Sequence, residues 1–200
     1  MMIDEYALDE INALWDPVRP YLARQIEDLY GRSNGHVLEI GPFSGLVFAL
    51  AEKGVGQSFM IAAFPGHAAE SCRKEAVRLG LEGTVRVIES DPLLTGVPDE
   101  SVDLAIFRGA LFFPSVFRTE FAAVYRTLRS GGLAFVGGGY GRYTPQTVID
   151  GIGERSKTLN FEMGKVRVTE ESVHGELTRL GLDGKAEIIA EGGLWVVLRK

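Results

Sequence analysis

The chain has 200 residues, 46% of them hydrophobic and 24% charged, with a formal net charge of −6. That is enough for one ordinary domain with a sizeable core, and too apolar for a disordered chain. No basic stripe is present to neutralise phosphates, so no nucleic-acid partner is expected; Arg126, Arg129 and Arg142 form at most a small anion strip. The single cysteine, Cys72, excludes intrachain disulfides and a multi-cysteine metal site, and no metal is expected. The acidic opening MMIDEYALDE lacks the apolar core of a signal peptide. No apolar run approaches the roughly 20 residues of a membrane span. A cytoplasmic chain without a membrane partner is therefore expected, with a homodimer left open as its assembly.

In chain order, residues 4–30 read as one or two helices. Ile11, Leu14, Trp15, Val18, Leu22, Ile26 and Leu29 recur at three- and four-residue steps, and Pro17 and Pro20 mark a break. His36–Ile40 is a short apolar run ending at Gly41, as in a buried parallel strand. A helix is expected over Gly45–Lys53, a strand over Ser58–Ala63, a helix over Gly66–Leu79 and a strand over Thr84–Ile88. Val102–Phe107 reads as the fourth strand, Ser115–Leu128 as a helix and Gly132–Val136 as the fifth strand. Helices follow over Thr144–Arg155 and Glu170–Leu180, the second opened by Thr169. Ala186–Glu191 and Leu194–Arg199 then form a hairpin about Gly192-Gly193. Alternating strands and helices call for a mostly parallel α/β sheet with right-handed crossovers and helices on both faces, here ending in an antiparallel pair. No linker or repeat divides the chain, so residues 1–200 are expected to form one domain.

In such sheets ligands bind beyond the carboxyl ends of the strands. The segments there are Glu39-Ile40-Gly41-Pro42-Phe43-Ser44-Gly45 after the first strand, Glu89-Ser90-Asp91-Pro92 after the third and Arg108-Gly109 after the fourth. VLEIGPFSG resembles the first motif of the class I S-adenosylmethionine-dependent methyltransferases, an acidic-x-Gly-x-Gly-x-Gly loop. VIESDPLLTGVPDESVDLAIFRGALFF resembles their acidic residue after strand three and the approach to strand four. VYRTLRSGGLAFVGGG resembles their helix, L-x-x-G-G turn and fifth strand. The resemblance covers residues 36–140 in register and implies a Rossmann-like seven-stranded methyltransferase sheet with S-adenosylmethionine as cofactor.

The resemblance also assigns residues. Gly41, Pro42, Phe43 and Gly45 form the loop passing the cofactor's methionine part, and Glu39 lies at the strand end beneath it or caps nearby amides. Asp91, flanked by Ser90 and Pro92, matches the carboxylate that accepts from the adenine amine, with a plain turn role as its alternative. Phe64 packs against the adenine or fills core, and Arg108 borders the cofactor. Residues 1–35, with Tyr6 and Trp15, resemble a helical lid. His67 stands near the cofactor mouth, whereas His36 and His174 read as structural.

Two departures from the family pattern stand out. Phe43 holds the second glycine position of the loop, and the second strand ends Ala62-Ala63-Phe64 without the carboxylate that holds the ribose. A hydrogen bond to a charged group is worth ~1.5–3 kcal/mol, so its loss weakens binding roughly tenfold to a hundredfold. No residue stands out as a catalyst, which suits methyl transfer, where the protein mostly positions and desolvates. The absence of an Asn- or Asp-Pro-Pro-aromatic motif points away from amide nitrogens. An aromatic, partly basic mouth of Arg108, Phe112, Phe113, Tyr140, Arg142 and Tyr143 suits a small apolar or aromatic acceptor, with or without an anionic group. Methyl transfer to a small molecule is the leading expectation. The alternative is a non-catalytic or regulatory protein on the same scaffold. A nicotinamide dehydrogenase suffers from the wrong glycine spacing.

Overall fold

A computed structural model describes residues 5–200; residues 1–4, where the expected N-terminal helix and lid begin, lie outside that range. The N-terminal segment forms α1 (Glu5–Leu14), a 3-10 turn at Asp16–Val18 and α2 (Arg19–Tyr30). Pro17 and Pro20 sit in the first turns of the elements they open, where a missing N–H costs nothing. There follow β1 (His36–Ile40), α3 (Leu46–Glu52), β2 (Ser58–Ala63), α4 (Gly66–Arg78), β3 (Val85–Glu89), β4 (Val102–Arg108), α5 (Phe121–Thr127) and β5 (Leu128–Gly139). The chain ends with α6 (Gln146–Glu162), α7 (Glu170–Arg179), β6 (Ala186–Ile189) and β7 (Gly193–Arg199).

The seven strands form one sheet in the order β3-β2-β1-β4-β5-β7-β6. β1 lies parallel to both β2 and β4, and only β7 runs against its neighbours β5 and β6. This is the Rossmann-like methyltransferase arrangement that the resemblance implies. β1 and β4 are buried almost throughout because helices cover both faces. None of the described helices is long and apolar enough to cross a membrane.

Three elements differ from the expectation. The helix expected over Ser115–Leu128 is confined to Phe121–Thr127. Phe117, only 5% exposed, turns inward instead, and the Thr119 hydroxyl donates to the Ala110 carbonyl. Burial of one ring thus overrides helix periodicity. The fifth strand is longer at both ends, because Gly137, Gly138 and Gly139 continue it opposite Trp195, Leu194 and Gly193. α6 runs on to Glu162 because Ile152, Ser156 and Leu159 make a buried stripe that Gly151 and Gly153 disguise. Elsewhere the boundaries shift by one or two residues.

Glu39 connects the fold to the loop that follows β1. Its fully buried carboxylate accepts from the backbone N–H groups of Gly45 (3.0 Å), Leu46 (3.0 Å) and Val47 (3.1 Å). These are the first donors of α3, which no carbonyl of the helix can satisfy. Burial pushes the Glu39 pKa up, and the three amides pull it back.

Two stability outcomes follow. Glu39→Ala should orphan three buried amides and lower stability by about 3 kcal/mol, a drop in Tm of roughly 6–12 °C by calorimetry. Gly137 has φ 150°, and a Cβ there would meet the Leu194 carbonyl oxygen and come within 2.8 Å of the Trp195 Cα. Gly137→Ala should therefore force β5 and β7 apart and destabilise by ~2–3 kcal/mol in urea titration; an unchanged midpoint would contradict this.

Candidate active site

The strand order reverses between β1 and β4, so the crevice at their carboxyl ends is where ligands enter such a sheet. The loop after β1 is pinned from three sides. The Gly41 N–H donates to the Ala62 carbonyl (3.0 Å), the Asn12 Nδ2 donates to the Pro42 carbonyl (2.9 Å), and Glu39 holds the far end at Gly45. Gly45 has φ 123°, and the Arg19 guanidinium packs where its Cβ would stand. Phe43 is 2% exposed; its ring lies 4.8 Å from that of Phe113 and against Gly109. The side chain at the second glycine position therefore wedges the β1 loop against the segment leaving β4.

At the ends of β2 and β3, Phe64 meets Phe107 and Phe117 edge-on at 5.9 and 5.8 Å. The Ser90 Oγ and His67 Nε2 are buried without a hydrogen-bond partner. Asp91 closes a turn: its carboxylate accepts from the Thr95 hydroxyl (2.6 Å) and more distantly from the Thr95 N–H (3.4 Å), with half-buried Pro92 between. The hydroxyl bond holds the Asp91 carboxyl below the usual range.

Arg108 ends β4 and is 5% exposed. Its Nη2 donates to the Asn12 Oδ1 (3.0 Å), and its guanidinium lies 5.0 Å from the Trp15 ring and 5.7 Å from that of Phe43. The Nε has no partner, and no carboxylate makes an ion pair with Arg108 among the described residues. Burial, reinforced by the nearby Arg19 charge and opposed by Glu39, pulls the Arg108 pKa down to about 9. Arg19, by contrast, pairs with Asp16 at 2.6 Å and Glu75 at 3.6 Å and donates to the Asn12 carbonyl (2.9 Å).

Above Arg108 lies a cavity of about 80 Å³. Its walls are Phe112, Phe113 and Tyr140, its floor includes Gly138 and Gly139, and its roof is Ile11 and Trp15 from the N-terminal segment. Phe43, Gly109, Asn160 and Lys165 complete its lining. Trp15 stacks on Tyr140 at 4.9 Å and 4°, and Arg155 grips Glu10 with two bonds of 2.6 Å, fastening α1 to α6. A second, polar cavity of about 300 Å³ lies along Asn12, Arg19 and Ser44. Asn12 borders this second cavity and is bonded to Arg108, which lines the first.

The expected residues thus divide. Phe112, Phe113 and Tyr140 line one cavity with Arg108 and Phe43. Arg142 and Tyr143 do not: both bond to Asp28, and Arg24 lies over the Tyr143 ring at 4.4 Å, so they join the β5–α6 connection to α2. Asn12, Arg19, Asn160 and Lys165 were not singled out from the sequence. On amphipathic helices and in loops their residue types read as solvated positions, and only the fold brings them here. Among the described residues no group of three or more His, Cys, Asp or Glu could hold a metal ion.

The residues suit an adenosyl-and-amino-acid ligand chemically, since buried polar atoms without a partner remain on Arg19, which packs against Gly45, and on His67 and Ser90, which follow β2 and β3. The first cavity is nevertheless well below the roughly 300–1,000 Å³ of small-molecule sites.

Solved structures with this fold include a protein assigned as an S-adenosyl-L-methionine-dependent methyltransferase from Methanococcus maripaludis. It is 24% identical over 100% of this chain and 94% of its own, with a TM-score of 0.79. A methyltransferase from Aquifex aeolicus is 14% identical over 98% and 97% of the two chains, with a TM-score of 0.65. Geranyl diphosphate C-methyltransferase from Streptomyces coelicolor A3(2), in complex with Mg2+, geranyl diphosphate and S-adenosyl-L-homocysteine, is 13% identical over 89% and 76%, with a TM-score of 0.61. No curated protein matches the sequence. The family model described as "Methyltransferase domain" matches residues 38–146, from within β1 to the start of α6. The chain belongs to this family, the class I S-adenosylmethionine-dependent methyltransferases, whose methyl donor is S-adenosylmethionine.

Proposed function

We propose that the chain transfers a methyl group from S-adenosylmethionine to a small apolar or aromatic molecule bound in the cavity beside Phe43. The observation that carries this is a shared wall. Phe43 belongs to the donor loop and also lines the aromatic cavity, so a donor and an acceptor would meet there. When bound, the donor supplies an activated methyl group, and the chain's own residues position it and exclude water. Gly41, Pro42 and Gly45 pass their backbone along its amino-acid end, with Glu39 fixing the loop from below. Ser90, Asp91 and Pro92 receive the nucleoside end, Asp91 turning from Thr95 to the adenine amine, with Phe64 on the apolar side. Phe112, Phe113 and Tyr140 hold the acceptor. α1 and the 3-10 turn act as a lid, held shut by Trp15 on Tyr140 and Glu10 on Arg155.

A second function, a binding protein without catalysis, is favoured by the buried Phe43 ring and by Ala62-Ala63-Phe64 at the end of β2. Calorimetry with S-adenosylmethionine and S-adenosylhomocysteine separates the two, followed by a search for methyl transfer to aromatic acceptors. The enzyme should bind both ligands between micromolar and millimolar concentrations. No binding by the wild type or by Phe43→Gly would end that proposal.

Phe43→Gly should bind S-adenosylhomocysteine at least tenfold more tightly, about 1.4 kcal/mol, because no ring has to be displaced first. The same change should cost about 3–5 kcal/mol of stability through the void it leaves. Weaker binding by this variant would mean that the ring supports the ligand instead of blocking it.

A further inference from the structure

We infer that the acceptor carries a carboxylate and that Arg108 holds it, which makes Arg108 an acceptor-binding and specificity-determining residue; this rests on the methyltransferase function proposed above. A guanidinium that is 5% exposed is normally paired with a carboxylate, because an uncompensated buried charge opposes folding. Arg108 has only the Asn12 amide oxygen and two aromatic faces. Glu39, the buried acid that draws its pKa upward, makes no ion pair with it and spends both oxygens on the amides of α3. Its Nε–H is buried without a partner, and the side chain lines the cavity.

The cavity itself carries the same charge bias. Among the described residues no Asp or Glu lines it, and the two formally charged side chains there, Arg108 and Lys165, are both positive. Lys165, exposed at the level of the whole residue, places its Nζ 5.0 Å from the Phe112 centroid, in a position to steer an anion inward. The walls are aromatic, so the occupant they fit is a flat apolar body with one negative end.

The donor's own charge sharpens the choice. Were the bound donor's sulfonium to stand near Arg108, the two like charges would repel in a poorly hydrated site. An acceptor carboxylate near both relieves that repulsion. The donor's carboxylate has another cationic candidate in Arg19, which packs against Gly45 on the donor loop.

Benzoate and its uncharged isostere benzamide test this, titrated by calorimetry into the full chain saturated with S-adenosylhomocysteine. Benzoate should bind at least tenfold more tightly than benzamide. Arg108→Gln should erase that difference while changing the affinity for S-adenosylhomocysteine less than twofold, and Arg108→Lys should keep part of the preference. Without ligand, Arg108→Met should melt at or above the wild-type Tm, since it removes an unpaired buried charge. Equal binding of benzoate and benzamide by the wild type would overturn the assignment. So would a loss of S-adenosylhomocysteine affinity in Arg108→Gln, which would place the donor's carboxylate on this guanidinium. A wild type that binds no S-adenosylhomocysteine fails the methyltransferase function itself, a result distinct from either.

Discussion

The grip of one buried carboxylate on three backbone amides organises everything at the top of this sheet. Glu39 leaves β1 pointing at the first turn of α3, and its hydrogen bonds to Gly45, Leu46 and Val47 fix where the intervening five residues run. With both ends of that loop set, Pro42 presents its carbonyl to Asn12, Gly45 leaves room for Arg19, and Phe43 has one direction open, toward Gly109 and Phe113. Sheet order supplies the rest. Because β1 is flanked by β2 and β4, the loop stands over the switch point, where neither neighbour's crossover covers it.

Over this frame the N-terminal segment lies as a cover with one polar core. Asn12 bonds to the Pro42 carbonyl and to Arg108, and its own carbonyl accepts from Arg19. One amide residue thus links the N-terminal segment, the loop after β1 and the end of β4. Around it Leu8, Ile11 and Trp15 are buried, so lifting α1 exposes apolar surface as well as breaking these bonds.

Most of the architecture was legible because burial leaves a plain record in parallel strands. VLEIG and VDLAIF are continuous apolar runs ending in turn residues, and they are β1 and β4. The capping pattern at Thr169 was equally direct: its hydroxyl accepts from Ser172 at 3.2 Å. The errors came where tertiary contacts overrule local pattern. Phe117 looked like a helix position and is a core residue in a loop, while the fifth strand, expected to stop at Val136, runs on through three glycines on which β7 packs. At the site, the loop and the aromatic mouth were readable from motif spacing. Arg142 and Tyr143 were grouped with that mouth by proximity in sequence, but Asp28, more than a hundred residues earlier in the chain, draws them away. Asn12, Arg19 and Lys165 carry no motif, and their contacts with Arg108, Gly45 and Phe112 join residues far apart in sequence.

The central proposal is spatial: an adenosyl group enters between the turns after β1 and β3, and the Phe43 ring leaves its contact with Phe113 when it does. A crystal structure of the chain with S-adenosylhomocysteine tests it most directly. The expected result is a nucleoside lying between residues 41–45 and 90–92, the Phe43 ring swung out of its contact with Phe113, and Arg108 still free of the ligand. A ligand bound elsewhere, or a nucleoside seated there with the Phe43 ring unmoved, would contradict it.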